Sequence, residues 1–276
     1  MYNSQENMTK NYVRVSMDHV RQSKKEKRKI SMITCYDSSF VPMIDASAID
    51  LVLVGDSMGN VVLGYDSTLP VTMEDMIHHT AAVTRKNRRA LVVADMPFLS
   101  YHLSEEQALS NAGKLVQQAG AHAVKLEGGT SVAGAVKRIV SAGIPVVGHL
   151  GLTPQSVLQM GGYKLQGKST SQAELLKKEA ALLVECGISA LVLEMVPESL
   201  AKEVTESLAI PTIGIGAGRY CDGQVLVLHD MLGFHADFRP RFLKTYANLG
   251  ESISEALTTF DKEVKLGHFP GPEHTY

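Results

Sequence analysis

Six short apolar runs in this sequence each end in an ionisable residue. Leu51-Val52-Leu53-Val54 leads into Gly55-Asp56-Ser57, and Leu91-Val92-Val93-Ala94 into Asp95. Ala123-Val124-Lys125-Leu126 ends in Glu127, Pro145-Val146-Val147-Gly148 in His149, and Leu191-Val192-Leu193 in Glu194. Val225-Leu226-Val227-Leu228 ends in His229-Asp230. Runs of this length and composition read as strands buried on both faces. Polar residues at their C-terminal ends gather along one rim of a parallel sheet, where α/β proteins place their chemistry.

Asp56, Asp95 and Glu127 end three consecutive strands. Side by side, they would repel and raise one another's pKa. A hard divalent cation relieves that conflict, and oxygen ligands without cysteine suit Mg²⁺. The alternative is a set of rim carboxylates held by backbone N–H groups and by Lys or Arg. Lys125 lies two residues before Glu127 and so points to the same side of its strand. It would hold a substrate carboxylate or stabilise an enolate, or close an internal salt bridge with Glu127. A carboxylate among apolar neighbours, as at Glu194, suits a general base working near neutrality. Before Pro197 it also reads as a helix-start residue. His149, between Gly148 and Leu150-Gly151, is either a structural histidine or a proton carrier. His78-His79 read as surface or packing residues. Gly214-Ile215-Gly216-Ala217-Gly218 lacks the spacing of the dinucleotide fingerprint, though its bare N–H groups would suit an anion. The residues thus point to a metal-assisted enzyme. Its substrate would chelate the ion through adjacent oxygens, as a 2-oxo acid does, with Glu194 or His149 moving a proton.

The elements that position these groups follow from the pattern of caps and periods. Strands are predicted at 30–35, 50–55, 90–94, 123–127, 144–149, 189–194, 211–215 and 225–229. Helices are predicted between them, from Ser16, around 39–48, from Thr72, from Ser104 with Gln107, from Thr130 or Ser131, from Thr153-Pro154, from Ser171 with Glu174, and from Pro197, with a last one over 249–266. Alternating strands and helices imply parallel pairing, and eight strands close a barrel. The fold class expected is therefore an α/β, (β/α)₈ TIM barrel. Residues 216–224 are too few for a full crossover, so the seventh helix must be reduced. An open doubly wound sheet is the alternative, but Cys35-Tyr36-Asp37-Ser38 carries no glycine-rich fingerprint. Loops 57–71 and 161–170 are long and show no helical period, as lids over a substrate would be.

Composition sets the outer bounds. A chain of 276 residues, 45% hydrophobic, is ample for a single domain over 1–276, with a polar N-terminal segment 1–15 and a C-terminal tail 267–276. A formal charge of −2 exerts no pull towards nucleic acid or an anionic membrane. The one charge run, Lys24-Lys25-Glu26-Lys27-Arg28-Lys29, reads as a solvated helix end. Three scattered cysteines, Cys35, Cys186 and Cys221, suit reduced thiols in the cytoplasm. The N-terminus lacks an apolar signal core, and no apolar run reaches the roughly 18–20 residues that span a bilayer.

Longer motifs carry a family resemblance. They are Ile33-Thr34-Cys35-Tyr36-Asp37, Val54-Gly55-Asp56-Ser57, Asp66-Ser67-Thr68-Leu69-Pro70-Val71-Thr72, Ala94-Asp95-Met96-Pro97-Phe98 and Lys125-Leu126-Glu127-Gly128-Gly129. Further on come Gly148-His149-Leu150-Gly151-Leu152-Thr153-Pro154-Gln155, Gly162-Tyr163-Lys164-Leu165-Gln166-Gly167, Leu193-Glu194 and the Gly214–218 stretch. From Ile33 onwards the chain resembles the ketopantoate (3-methyl-2-oxobutanoate) hydroxymethyltransferase family of pantothenate and coenzyme A biosynthesis. It departs from the family pattern at Cys35, at Tyr65 and over 234–241, none of them assigned to chemistry. The resemblance implies a (β/α)₈ barrel that transfers a hydroxymethyl group from 5,10-methylenetetrahydrofolate to 3-methyl-2-oxobutanoate, through a metal-stabilised enolate. It implies one Mg²⁺ per subunit, served by Asp56, Asp95 and Glu127. Asp56, Ser57, Asp95 and Lys125 would hold the 2-oxo acid, with His149 as a neighbour. Glu194 would be the proton acceptor. It also implies self-association into a large homo-oligomer, a decamer, with small-molecule substrates and neither nucleic acid nor membrane as partner. Two other readings compete: a carbon–carbon lyase or mutase on a related 2-oxo acid, and a catalytically silent ligand-binding or assembly barrel. The first lacks a catalytic cysteine loop after the fourth strand, where Gly128-Gly129-Thr130 stands, and the second would have a blunted rim.

Overall fold

Runs of Leu, Val and Ile, too short for a stable helix and apolar on both faces, form the strands. The structure, a computed structural model, describes residues 13–234 and 240–276. Within them the chain runs in the order α1 (Met17–Lys25), β1 (Ile30–Thr34), α2 (Val41–Ala46), β2 (Leu51–Val54), α3 (Met58–Val61), α4 (Met73–Thr84), β3 (Leu91–Asp95), α5 (Glu105–Gln117) and β4 (Ala123–Glu127). It continues through α6 (Ala133–Ser141), β5 (Val146–Gly151), α7 (Val157–Met160), α8 (Thr170–Glu185), β6 (Ala190–Glu194), α9 (Glu198–Ser207), β7 (Thr212–Ile215), β8 (Gly223–Leu226), α10 (Leu228–Met231) and α11 (Leu249–Lys265). The eight strands are in sequential order and close into a parallel barrel, as the alternation predicts.

Two compact units are distinguished, Met1–Val225 and Leu226–Tyr276. In the first, side chains at every second strand position fill the barrel. Leu51 and Leu53, Leu91 and Val93, Ala190 and Val192 belong to one buried cluster, which Met17 and Val20 of α1 join. Val15 also belongs to it, so the polar N-terminal segment stops short of that residue; residues 1–12 lie outside the described residues. In the second unit the backbone folds back on itself, with Tyr246 N donating to Met231 O and Leu249 N to Leu232 O. Phe260 and Phe269 meet edge-on, 5.6 Å between ring centres. Ile253, Leu257, Phe260 and Val264 form an apolar stripe along α11, and all are exposed.

Several elements differ from expectation for local reasons. The seventh crossover is not among them: no helix separates β7 from β8, and a turn joins them, the reduction its length predicts. The strand expected at 225–229 lies at Gly223–Leu226, and His229-Asp230 belong to α10 rather than to a strand end. Gly223 comes within a methyl's reach of Ile30 O, a close approach that favours glycine over the bulkier residues that follow. Helix α8 begins one motif earlier than Ser171, because Ser169 and Gln172 form a reciprocal capping box. Thr153 makes no side-chain cap, and only a 3₁₀ turn and the one-turn α7 follow it. Loop 57–71 hides the one-turn α3, too short to show a period. The charge run is only partly solvated: Lys24 donates to Asp222 and to Thr205 O, and Lys29 to Cys221 O.

Candidate active site

Strand parity and register assemble the rim. On β4, Lys125 and Glu127 follow Ala123, a barrel-interior residue, at steps of two. Asp95 follows Val93 on β3, His149 follows Val147 on β5, and Glu194 follows Val192 on β6 in the same way. Parallel pairing sets Asp95 beside Lys125, Glu127 beside His149 and Gly151 beside Glu194. Asp56 comes off the end of β2 through Gly55, where a Cβ would lie 2.8 Å from Ser57 Oγ. The Ser57 hydroxyl is tied to the buried Tyr36 phenol at 2.9 Å.

The result is a buried charge cluster. Lys125 Nζ lies 3.2 Å from Asp95 Oδ1, 3.7 Å from Glu127 Oε1 and 3.1 Å from His149 Nδ1. His149 bridges outward, its Nδ1 3.4 Å from Glu127 Oε1 and its Nε2 3.2 Å from Glu194 Oε2. Asp95 Oδ2 accepts the backbone N–H of Asp56 at 3.1 Å. Glu194 has a side-chain exposure of 19%, against 3% for Asp95, Glu127 and His149, so it is the member that an incoming molecule reaches.

The charges are unevenly compensated. Burial, then repulsion from Asp95 and Glu127, holds the Asp56 carboxyl well above the ordinary carboxylate range. Asp95 is also raised, by burial and against the pull of Lys125. Glu127 goes the other way: burial pushes it up, but the His149 hydrogen bond and the Lys125 charge prevail and hold it low. Lys125 is desolvated yet raised by Asp95, Glu127 and Asp56. Burial and Lys125 both press the His149 ring to lose its proton, but the Glu127 and Glu194 carboxylates against its two nitrogens prevail and raise it to about 9.

A divalent cation fits part of this set. Asp56 and Asp95 are buried oxygen donors, and Asp95 Oδ1 has an ion-pair partner but no hydrogen bond. No ion pair of Asp56 occurs among the described residues. Glu127 is otherwise committed, Oε1 to Lys125 and His149 and Oε2 to the Gln155 N–H at 3.0 Å. Among the described residues no three His, Cys, Asp or Glu side chains are posed to hold an ion by themselves. Two carboxylates with water completing the shell is the usual way Mg²⁺ is held.

Two further residues join the cluster without being marked by type or spacing. Gln155 stands in the sequence only within a motif, and Tyr101 in none. Both are buried here, and Tyr101 OH donates to Gln155 Oε1 at 2.6 Å. His79 lies away from the charge cluster, bonding Tyr36 O through Nδ1 at 2.6 Å. The N–H after Gly218 goes to Glu198 Oε1 at 3.2 Å. A cavity of about 460 Å³ lies beside the ends of β4 and β5, walled by Gly128, Gly129 and Gly151 and by Gln166, Leu176 and Glu179.

A family model described as ketopantoate hydroxymethyltransferase matches residues 14–272. A protein of Thermoanaerobacter sp. (strain X514), named 3-methyl-2-oxobutanoate hydroxymethyltransferase, is 57% identical over 263 residues, covering 95% of this chain and 96% of its own. One of the same name from Syntrophomonas wolfei is 54% identical, with 95% of each chain covered. Among solved structures, 2,3-dimethylmalate lyase, a PEP mutase/isocitrate lyase superfamily member, superposes with a TM-score of 0.60 at 14% identity, over 95% of this chain and 93% of its own. Phosphonopyruvate hydrolase in complex with oxalate and Mg²⁺ gives 0.60 at 9%, over 94% and 93%. At these identities the two structures bear on the fold alone, a closed barrel with helices between the strands.

Proposed function

The chain belongs to the ketopantoate hydroxymethyltransferase family and is a transferase, and from that premise we propose that it carries a hydroxymethyl group from 5,10-methylenetetrahydrofolate to 3-methyl-2-oxobutanoate. One observation supports this above others. The most exposed carboxylate of the rim, Glu194, lies 3.2 Å from His149 Nε2, while His149 Nδ1 faces the buried Glu127 and Lys125, and Lys125 in turn pairs with the buried Asp95.

The residues divide the work as follows. Asp56 and Asp95 would hold a divalent cation such as Mg²⁺, with Glu127 behind them holding Lys125 and His149 in place. When bound, the cation supplies Lewis-acid polarisation of the 2-oxo carbonyl, which acidifies the neighbouring C–H. Ser57 and Lys125 orient the 2-oxo acid, Lys125 facing its negative oxygens. Glu194 removes the C3 proton, and His149, 3.2 Å behind it, holds the carboxylate in line. Lys125 then stabilises the enolate. Water frees the one-carbon unit from the donor as formaldehyde, both C–N bonds breaking and tetrahydrofolate leaving with that water's two hydrogens on nitrogen. The enolate C3 attacks the formaldehyde carbon while its oxygen takes the proton back from Glu194 to become the hydroxyl. Self-association into a large homo-oligomer, a decamer in the family resemblance, is supported by the exposed stripe on α11. Work in the cytoplasm is supported by three free thiols, and among the described residues no helix is long and apolar enough to cross a membrane.

The test is product formation. Incubation with 3-methyl-2-oxobutanoate, methylenetetrahydrofolate and Mg²⁺ should yield ketopantoate by NMR, and a chelator should stop it. Absence of product at every metal and folate concentration would overturn the reading.

A further inference from the structure

Gln155 carries no charge and belongs to no strand, yet it touches two of the rim acids at once. Its backbone N–H donates to Glu127 Oε2 at 3.0 Å, and its side-chain Nε2 donates to Asp56 Oδ2 at 2.8 Å. The second Nε2 hydrogen goes to Met96 O at 3.0 Å. A backbone carbonyl only accepts, so the amide nitrogen must face Met96 and Asp56, and the amide oxygen must face Tyr101. Tyr101 OH in turn accepts the Glu127 N–H at 3.2 Å, which leaves its hydrogen for Gln155 Oε1 at 2.6 Å. Every polar atom of the Gln155 amide therefore has a partner. Gln155 is 5% exposed and Tyr101 2%, a setting in which an unmet donor or acceptor is costly and the arrangement is held firmly.

The chemistry of the donor matters as much as its position. Asp95 and Glu127 each have Lys125 within ion-pair distance. Asp56 instead receives a neutral amide, which fixes the carboxylate's direction without cancelling its charge. A lysine in that place would leave the rim less negative and a dication less welcome. We propose that Gln155, oriented by Tyr101, is the positioning residue of the acidic rim: it aims Asp56 at the divalent cation and keeps that carboxylate's charge available to it. This rests on the reading that Asp56 serves a cation. Partners that hold a metal-binding carboxylate in place usually matter by ~10–100-fold in metal affinity when removed.

The experiment is a Mn²⁺ titration of the full-length protein, wild type against Gln155→Met, Tyr101→Phe and the double variant. Water-proton relaxation counts the waters left on the ion, and thermal unfolding of the metal-free proteins is measured alongside. Gln155→Met should lose about 10–100-fold in Mn²⁺ affinity and gain metal-bound water as Asp56 swings away. Tyr101→Phe should lose less, about 3–10-fold, and the double variant should be no weaker than Gln155→Met, because both act through one carboxylate. Should Gln155→Met not fold, Tyr101→Phe carries the test. Wild-type affinity and water count in the variants, with only the melting temperature lowered, would show a merely structural role and overturn the proposal. Failure of the wild type itself to bind Mn²⁺ would overturn the cation reading and this inference with it.

Discussion

Glu194 and His149 are a matched pair, one reachable from solvent and one sealed behind it. Replacing Glu194 by Gln keeps shape and hydrogen-bonding capacity but removes the base. Loss of C3 proton exchange by about 10²–10⁴-fold is expected, with binding of the 2-oxo acid little changed; full exchange in that variant would place the base elsewhere. His149 also makes a prediction about pH. Its folded-state value, about 9, lies above the ordinary 6.5. The stability it contributes is therefore complete below 6.5 and is lost as pH rises through 9. Asp56 and Asp95, raised by burial first, act with the same sign, and Glu127, held low, acts oppositely. The metal-free protein should melt at progressively lower temperature across that window, and His149→Asn should flatten the profile; an unchanged slope would count against a protonated ring. The acids of the rim and His149 are legible in the sequence because each ends an apolar run, and Lys125 because it lies two residues before Glu127. Gln155 and Tyr101 are not, being neutral, outside the strands and 54 residues apart, so that only the folded chain brings them together.

The elements owe their legibility to short-range rules. Short continuous apolar runs and the caps between them are enough to place seven strands within about two residues and to require a reduced seventh crossover. Where two signals overlap, the rule runs out: Ser169-Gln172 and Ser171-Glu174 are both capping patterns, and backbone geometry chooses the first. β8 is harder still, since its position is set by pairing with distant strands rather than by its own composition. One element junction bears directly on function. Gly151 ends β5 at φ +96°, and a Cβ there would lie 2.2 Å from Glu194 O, where Leu152 N donates at 2.8 Å. Gly151→Ala should therefore push the end of β6 away from β5 and carry Glu194 with it. A cost of about 1–3 kcal/mol in stability and a fall in turnover of ~10-fold or more are expected. A variant with wild-type melting and turnover would show that the junction yields freely.

The whole molecule must reconcile a buried, charge-rich rim with an apolar surface that is left open. Ile253 at 42%, Leu257 at 64% and Phe260 at 55% exposure along one face of α11 make the apolar stripe on which the proposed self-association rests. Leu257→Glu with Phe260→Glu should shift the protein to smaller species by light scattering while leaving the barrel's circular dichroism intact; an unchanged mass would remove α11 from the assembly. Nothing in the pattern of the chain itself sets the number of subunits, because that depends on how surfaces meet rather than on how segments fold. The most direct test of the function lies at the rim. It is NMR loss of the C3 proton of 3-methyl-2-oxobutanoate in D₂O, with Mg²⁺ and again with a chelator, before and after adding the folate donor. Exchange that requires Mg²⁺ and stops with the chelator is the expected result. A C3 proton that stays in place with metal and folate both present would contradict an enolising site at Glu194.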